Sequence, residues 1–216
     1  EGSYESQLWN EDSFFYRFLL EPKAEAPNMS RLSRPLSLNR RVVQSLAGEP
    51  MQTGSMSKYV RVLEYQPEME EILSNEEAFE ELLRVFSTMP GTTEGGIIHL
   101  CGMEGLGKKF LMKSLGCVAE MDVLCVDMQG LLAGKEENSS VLKELVLKCI
   151  YEKCVIYLDE TPFEVGDIPK IQRILTFLQD YVKLLFIGSK GHWPKTLSVQ
   201  GNLYTISLKF PSTAKQ

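Results

Sequence analysis

Residues 97–114, IIHLCGMEGLGKKFLMKS, carry the reading on which the fold turns. An apolar run from Ile97 to Cys101 leads into Gly102, and Gly107 and Lys108 follow after four intervening residues. The spacing G-x-x-x-x-G-K is that of a glycine-rich phosphate-binding loop between a strand and a helix. Gly102, Gly105 and Gly107 permit a tight turn whose backbone N–H groups converge on an anion. The helix expected over 108–119, KKFLMKSLGCVA, adds its positive end to the same point. Lys108 supplies a point charge for the terminal phosphates. Such a loop next places Ser or Thr, whose hydroxyl holds Mg²⁺; this chain places Lys109 there, followed by Phe110. An ammonium has three donors and no acceptor, so Lys109 cannot ligate the ion and would repel it if it pointed inward. It is instead suited to direct contact with phosphate. The plainer reading is a glycine-containing strand-to-helix turn with no ligand.

Downstream, short apolar runs alternate with helical patterns. VLCVDM (123–128), CVIYLDE (154–160), KLLFIGS (183–189) and LYTISLKF (203–210) read as strands. SSVLKELVLKCIYEK (139–153) and IPKIQRILTFLQDYV (168–182) read as helices. This alternation predicts an α/β core, a parallel five-stranded sheet with helices on both faces, joined by right-handed crossovers. In CVIYLDET, four apolar residues precede Asp159 and Glu160. At the mouth of a phosphate site Asp159 would organise Mg²⁺ and Glu160 would orient an attacking water; otherwise the two are exposed loop carboxylates. Ser189 closes its strand beside the phosphate loop and either hydrogen-bonds a γ-phosphate or serves as an ordinary turn residue.

Upstream, residues 4–20 carry Trp9, Phe14, Phe15, Phe18 and Leu19 at near-helical spacing, predicting a short amphipathic helix before Pro22. A polar, proline-containing linker, EPKAEAPNMSRLSRP, follows. LSLNRRVVQSLAG reads as a helix starting at Ser37 or Asn39 and stopping at Gly48. Residues 67–89 are rich in Glu and Leu, and Asn75 is placed to cap a helix running to about Met89. PGTTEGG then breaks the chain sharply. These features divide it into an N-terminal helical segment and linker over 1–66 and the α/β core over 67–216, with strands from about 97.

The 216 residues are 44% hydrophobic and 24% charged, with a formal net charge of -6. An acidic balance without a basic stripe argues against a general nucleic-acid or membrane-surface binder, and no apolar run is long enough to span a bilayer. The first residues have neither a basic n-region nor an apolar h-region, so no secretory signal is expected. The five cysteines, Cys101, Cys117, Cys125, Cys149 and Cys154, sit in apolar surroundings without a C-x-x-C pair. They read as reduced core thiols of a cytoplasmic protein rather than metal ligands.

The succession GMEGLGKK, VIYLDE, LLFIGS and YTISLKFP resembles the α/β core of an AAA+ ATPase, over residues 95–212. More narrowly, PLSLNRRVVQSLAGE ahead of the core and GHWP after the fourth strand make the chain similar to the N-terminal core of AAA+ proteins encoded with bacterial contractile injection systems. The resemblance implies ATP or ADP as ligand, held by Gly102, Gly105, Gly107, Lys108, Lys109, Phe110 and Ser189. It further implies other AAA+ subunits or a second, intact ATPase core as partners, and a ring of subunits. The sequence departs from the pattern in three ways. Lys109 stands at the Mg²⁺ position. KGHWPKTLSVQGN carries Lys190 and Lys195 but no arginine finger, and Arg173 reads as a surface residue. No helical lid is expected within residues 1–216. A degenerate binding or assembly module with little hydrolysis is therefore expected. The alternatives are an active Mg²⁺-dependent ATPase using Lys108, Asp159, Glu160 and Ser189, and a DNA-associated P-loop ATPase such as a helicase loader.

Overall fold

The computed structural model describes residues 13–22, 36–49, 54–66, 75–89, 95–134 and 139–210. The chain divides into two compact units, Glu1–Gly54 and Ser55–Gln216.

In the first unit, a π-helical turn over Phe15–Leu19 runs straight into strand β1, Leu20–Pro22. β1 pairs antiparallel with β2, Leu36–Leu38. The helix expected to reach residue 20 therefore ends one residue earlier, and Leu20 faces Leu38 across a two-stranded sheet. Pro22 locks its own φ, has no N–H to extend a helix, and biases the residue before it toward extended backbone. Residues 4–12 and most of the expected linker lie outside the described residues. Helix α1, Arg40–Leu46, starts where Asn39 predicts: its side-chain oxygen accepts from the Arg41 N–H at 2.9 Å. Ser37, the other expected start, lies within β2.

The second unit is built on a six-stranded sheet. Its strands are β3 (Val60–Leu63), β4 (Gly96–Cys101), β5 (Asp122–Asp127), β6 (Cys154–Asp159), β7 (Leu184–Ser189) and β8 (Asn202–Ser207). They lie in the order β3-β5-β6-β7-β4-β8. The five strands read from the sequence are mutually parallel, and β3 adds an antiparallel edge on β5, with Arg61 opposite Cys125. The sheet is thus mixed rather than purely parallel, and an edge strand falls within residues expected to be helix and linker.

The helices are α2 (Glu76–Thr88), α3 (Lys108–Ala119), α4 (Met128–Ala133), α5 (Ser139–Tyr151) and α6 (Ile168–Gln179). Alternation along the strands sorts their side chains. Ile98, Leu100, Val123, Cys125, Tyr157 and Phe186 form one core with Phe79 and Leu82 of α2 and Leu111, Met112 and Leu115 of α3. Helix α5 packs on β6 and against α6. β4 to β7 are almost wholly buried in their middles, so their sequences are continuous apolar runs, as parallel strands between helices must be, whereas the edge strand β8 alternates between exposed and more buried positions.

This order puts β4 between β7 and β8, with β6 two strands away. Because these strands run parallel, the Gly102 loop, the Asp159–Glu160 pair and Ser189 all emerge at one end of the sheet. Ligands of open α/β sheets gather outside those carboxyl ends.

Candidate functional site

The loop after β4 turns on two left-handed glycines, Gly105 at φ 83° and Gly107 at φ 87°, a region that side chains other than glycine rarely occupy. A Cβ built on Gly105 would meet nothing within 4 Å, so these glycines serve backbone conformation rather than close packing. Gly102 differs: its Cβ would lie 3.0 Å from that of Leu208. Gly107 caps α3, and the N–H groups of the first turn that follows have no intrahelical partner. Phe110 lies in that turn, and its carbonyl accepts from the Ser114 hydroxyl.

Lys108 is almost fully buried. Its ammonium donates to the carbonyls of Gly102 at 2.7 Å and Met103 at 3.1 Å, and pairs with Glu160 Oε1 at 3.0 Å. Lys109 reaches across to Asp159 Oδ2 at 2.7 Å. The two lysines of the loop thus neutralise, one each, the two carboxylates at the end of β6. The hydrogen bond to Asp159 raises the Lys109 pKa, against the opposing effect of partial burial. Glu160 holds a left-handed backbone, φ 43°, uncommon for a residue with a side chain. Three polar atoms here are buried with no hydrogen-bond partner among the described residues: Tyr157 hydroxyl, Asp159 Oδ1 and Glu160 Oε2. Burial first, then the negative charge of nearby Asp159, pushes the Tyr157 phenol well above its ordinary range. The Tyr157 hydroxyl is close enough to feel that charge without forming a well-aligned hydrogen bond to it.

Asn75 is a contributor that sequence reading assigned elsewhere. It precedes α2 in a left-handed conformation and makes no side-chain cap. Its amide donates to the Leu106 carbonyl in the glycine loop at 3.2 Å and accepts from the Lys209 N–H at 2.9 Å. It ties the loop to the segment after β8. Lys190, after β7, pairs with Glu104 of the loop at 2.7 Å. That hydrogen bond lowers the Glu104 pKa and raises that of Lys190. Arg173 and Lys195 are exposed.

Ser189 is fully buried. Its hydroxyl donates to the Gly191 carbonyl at 2.6 Å and stands 2.7 Å from His99 Nε2. With the serine proton directed to Gly191, His99 must donate from Nε2. Its Nδ1, 3.3 Å from the Thr205 hydroxyl, then accepts. The imidazole is therefore neutral and fully partnered. Burial, then His192 and Lys108, lower its pKa to about 4. Phe163 and Trp193 pack edge-on against the ring at centroid distances of 5.8 and 5.5 Å. In this arrangement the Ser189 proton is already donated to Gly191. A histidine inside the apolar run IIHLC was the available signal for this network, since a buried imidazole needs partners.

The open face of the site is a cleft of about 430 Å³ beside the loop, lined by Glu104, Lys109, Asp159, Glu160 and Lys190 and, from the β3 side, by residues 57–61. Two tests of ligand chemistry follow. Left-handed glycines, unbonded first-turn amides and a buried lysine fit a phosphate group. The residues do not suit Mg²⁺ as they stand: the hydroxyl position holds Lys109, and Asp159 is already paired with it. The cysteines are free thiols among the described residues; burial pushes Cys125 up to about 12.

No protein-family model matches the chain, and no curated protein matches it significantly. No helix among the described residues is long and apolar enough to cross a membrane.

Proposed function

We propose that this chain is a degenerate AAA+-type module that binds ATP or ADP through its glycine loop without needing Mg²⁺, hydrolyses it weakly or not at all, and serves binding or assembly within a larger ATPase. The observation that carries the reading is the Lys109–Asp159 ion pair at 2.7 Å. In this reading the Lys109 ammonium takes over the role of a metal counter-ion, so charge neutralisation comes from the chain itself. Lys108 extends the logic: its ammonium is held by two carbonyls and Glu160, and an incoming phosphate competes with Glu160 for it.

The chain's own residues divide the work. The amides around Gly105 and Gly107 and the first turn of α3 hold phosphate oxygens. Lys108 and Lys109 balance their charge, and Asn75 keeps the loop in register with the segment after β8. Hydrolysis needs a general base or water-positioning group free to act and, in this class, a metal and an arginine finger that together contribute large rate factors. Here Asp159 is engaged by Lys109, and Ser189 by His99 and Gly191. Binding without turnover suits a subunit whose nucleotide stabilises an interface, and the partners proposed are other AAA+ subunits or a second ATPase core.

The test is a phosphate-release assay beside direct nucleotide binding. The reading expects ATP and ADP to bind in the presence of EDTA, with turnover that is negligible and unchanged by Glu160→Gln. Mg²⁺-dependent turnover abolished by that substitution would establish the active-ATPase reading instead.

A further inference from the structure

We infer that Cys149 and Cys154 form a reversible dithiol site, closed to an intramolecular disulfide by a low-molecular-weight disulfide of the glutathione type. The site lies at the amino end of β6, the opposite end of that strand from Asp159. It does not rest on nucleotide occupying the glycine loop.

Geometry sets this pair apart from the other cysteines. Cys149 lies in the last turn of α5, and Cys154 is the first residue of β6. Their Sγ atoms stand 3.5 Å apart, and both residues are partly exposed. Cys101 instead donates to the Gly191 carbonyl at 3.3 Å, Cys117 lies on α3, and Cys125 is buried in β5. A disulfide holds its sulfurs about 2.05 Å apart, so side-chain rotation has only about 1.5 Å to close.

The turn between the two thiols is held from several sides. The Glu152 N–H donates to the Lys148 carbonyl at 2.8 Å, and the Cys154 N–H to the Glu152 carbonyl at 2.9 Å. The Asp122 N–H donates to the Lys153 carbonyl at 3.1 Å, which ties the turn to β5. The Lys148 ammonium pairs with Glu152 across the same turn. Ile150 and Lys153 are exposed, so the turn lies at the protein surface. The spacing C-x-x-x-x-C across a helix-to-strand turn thus supplies the adjacency that a C-x-x-C pair supplies within one helix.

The exchange balances with the oxidant named. The Cys154 thiolate attacks one sulfur of glutathione disulfide; the S–S bond breaks and one glutathione thiolate leaves. Cys149 then attacks Cys154 Sγ, the Cys154–glutathione bond breaks, and a second glutathione thiolate leaves. Two electrons pass from the cysteine pair to the oxidant, and the two cysteine protons end on the two glutathiones. Cys154 takes the first step because its hydrogen bond with Cys149, and then burial, hold the Cys149 thiol protonated well above its ordinary range. The second step is intramolecular between groups already in contact, which offsets the weaker nucleophile. The ring closed is short, so the bond restricts the unfolded chain less than a long-range disulfide would, and it suits a bond that opens and closes.

The test treats the native chain with millimolar glutathione disulfide, quenches with acid, and counts free thiols in denaturant. The five thiols should fall to three and stop there, and dithiothreitol should restore all five. Tryptic digestion without reductant should yield residues 149–153 joined to 154–170, since Lys148, Lys153 and Lys170 bound those peptides. Cys149→Ser should retain one glutathione on Cys154, whereas wild type should retain none. Three results would each overturn the proposal: all five thiols surviving in wild type, a disulfide that includes Cys101, Cys117 or Cys125 in place of this pair, or Cys149→Ser that takes up no glutathione.

Discussion

The two faces of the sheet hold the polar groups at its carboxyl end in opposite ways. On the α3 face, four charged side chains pair across the gap between loop and strand: Lys108 with Glu160 and Lys109 with Asp159. On the other face, His99, Ser189, Thr205 and Gly191 form a neutral chain of hydrogen bonds capped by aromatic rings. The neutral chain is closed, with each donor matched to an acceptor. The charged side leaves two carboxylate oxygens without a hydrogen-bond partner among the described residues and opens onto a cleft. The difference separates a brace from a site. A satisfied neutral network contributes to stability and has nothing left to offer a ligand, whereas paired charges with spare acceptors can exchange partners.

The largest effect should come from breaking the brace. His99→Ala removes a fully buried ring and strands the Ser189 and Thr205 hydroxyls, so unfolding in urea should show a loss of about 4 kcal/mol. Acid should weaken the same network by roughly half as much. His99 is held neutral with its pKa lowered from 6.5 to about 4, so the unfolded chain binds the proton first as pH falls. Stability from this group is complete above the unfolded value and is lost progressively as pH drops toward the folded one. From neutrality to about pH 5 the loss should be about 2 kcal/mol, and His99→Gln should flatten that part of the profile. Next in size is Asn75→Ala, which releases the glycine loop from the Lys209 segment. A loss of about 1 kcal/mol in denaturant melts is expected, together with faster hydrogen exchange at loop amides. The smallest effect belongs to Lys190→Ala: its pair with Glu104 is exposed to solvent and salt, and the urea midpoint should not move measurably. A large change there would mean that the charged face is a brace as well.

Much of this contrast was visible in the chain before folding, and the reasons differ by residue. The β4–loop–α3 unit was legible because glycine spacing and an unbroken apolar run are local signals; the helix over 108–119 falls where it was expected. The Asp159–Glu160 pair lies at the expected end of the sheet for the same reason: a buried strand ending in charge has little choice about where it surfaces. What stayed hidden depends on partners distant in sequence. β3 is a four-residue strand, only partly buried, and its place is fixed by backbone pairing with β5 rather than by its own pattern. Asn75 carries a capping signature, yet its side chain answers to Leu106 and Lys209 instead. Lys109 was visible as a misfit at the metal position, but that it pairs with Asp159, fifty residues on, required the fold to bring α3 over the end of β6. Ser189 was correctly placed at a strand end, and only the side of the sheet it faces, set by strand alternation, shows that its hydroxyl belongs to His99.

Thermal melting with ATP, in EDTA and in excess Mg²⁺, for wild type and for Lys109→Thr, bears most directly on the claim that the chain supplies its own counter-charge. Wild type should be protected by ATP to the same extent with and without the metal, and only Lys109→Thr should gain additional protection from Mg²⁺. Absence of any ATP-induced shift in wild type, or a shift that appears only when Mg²⁺ is present, would contradict it.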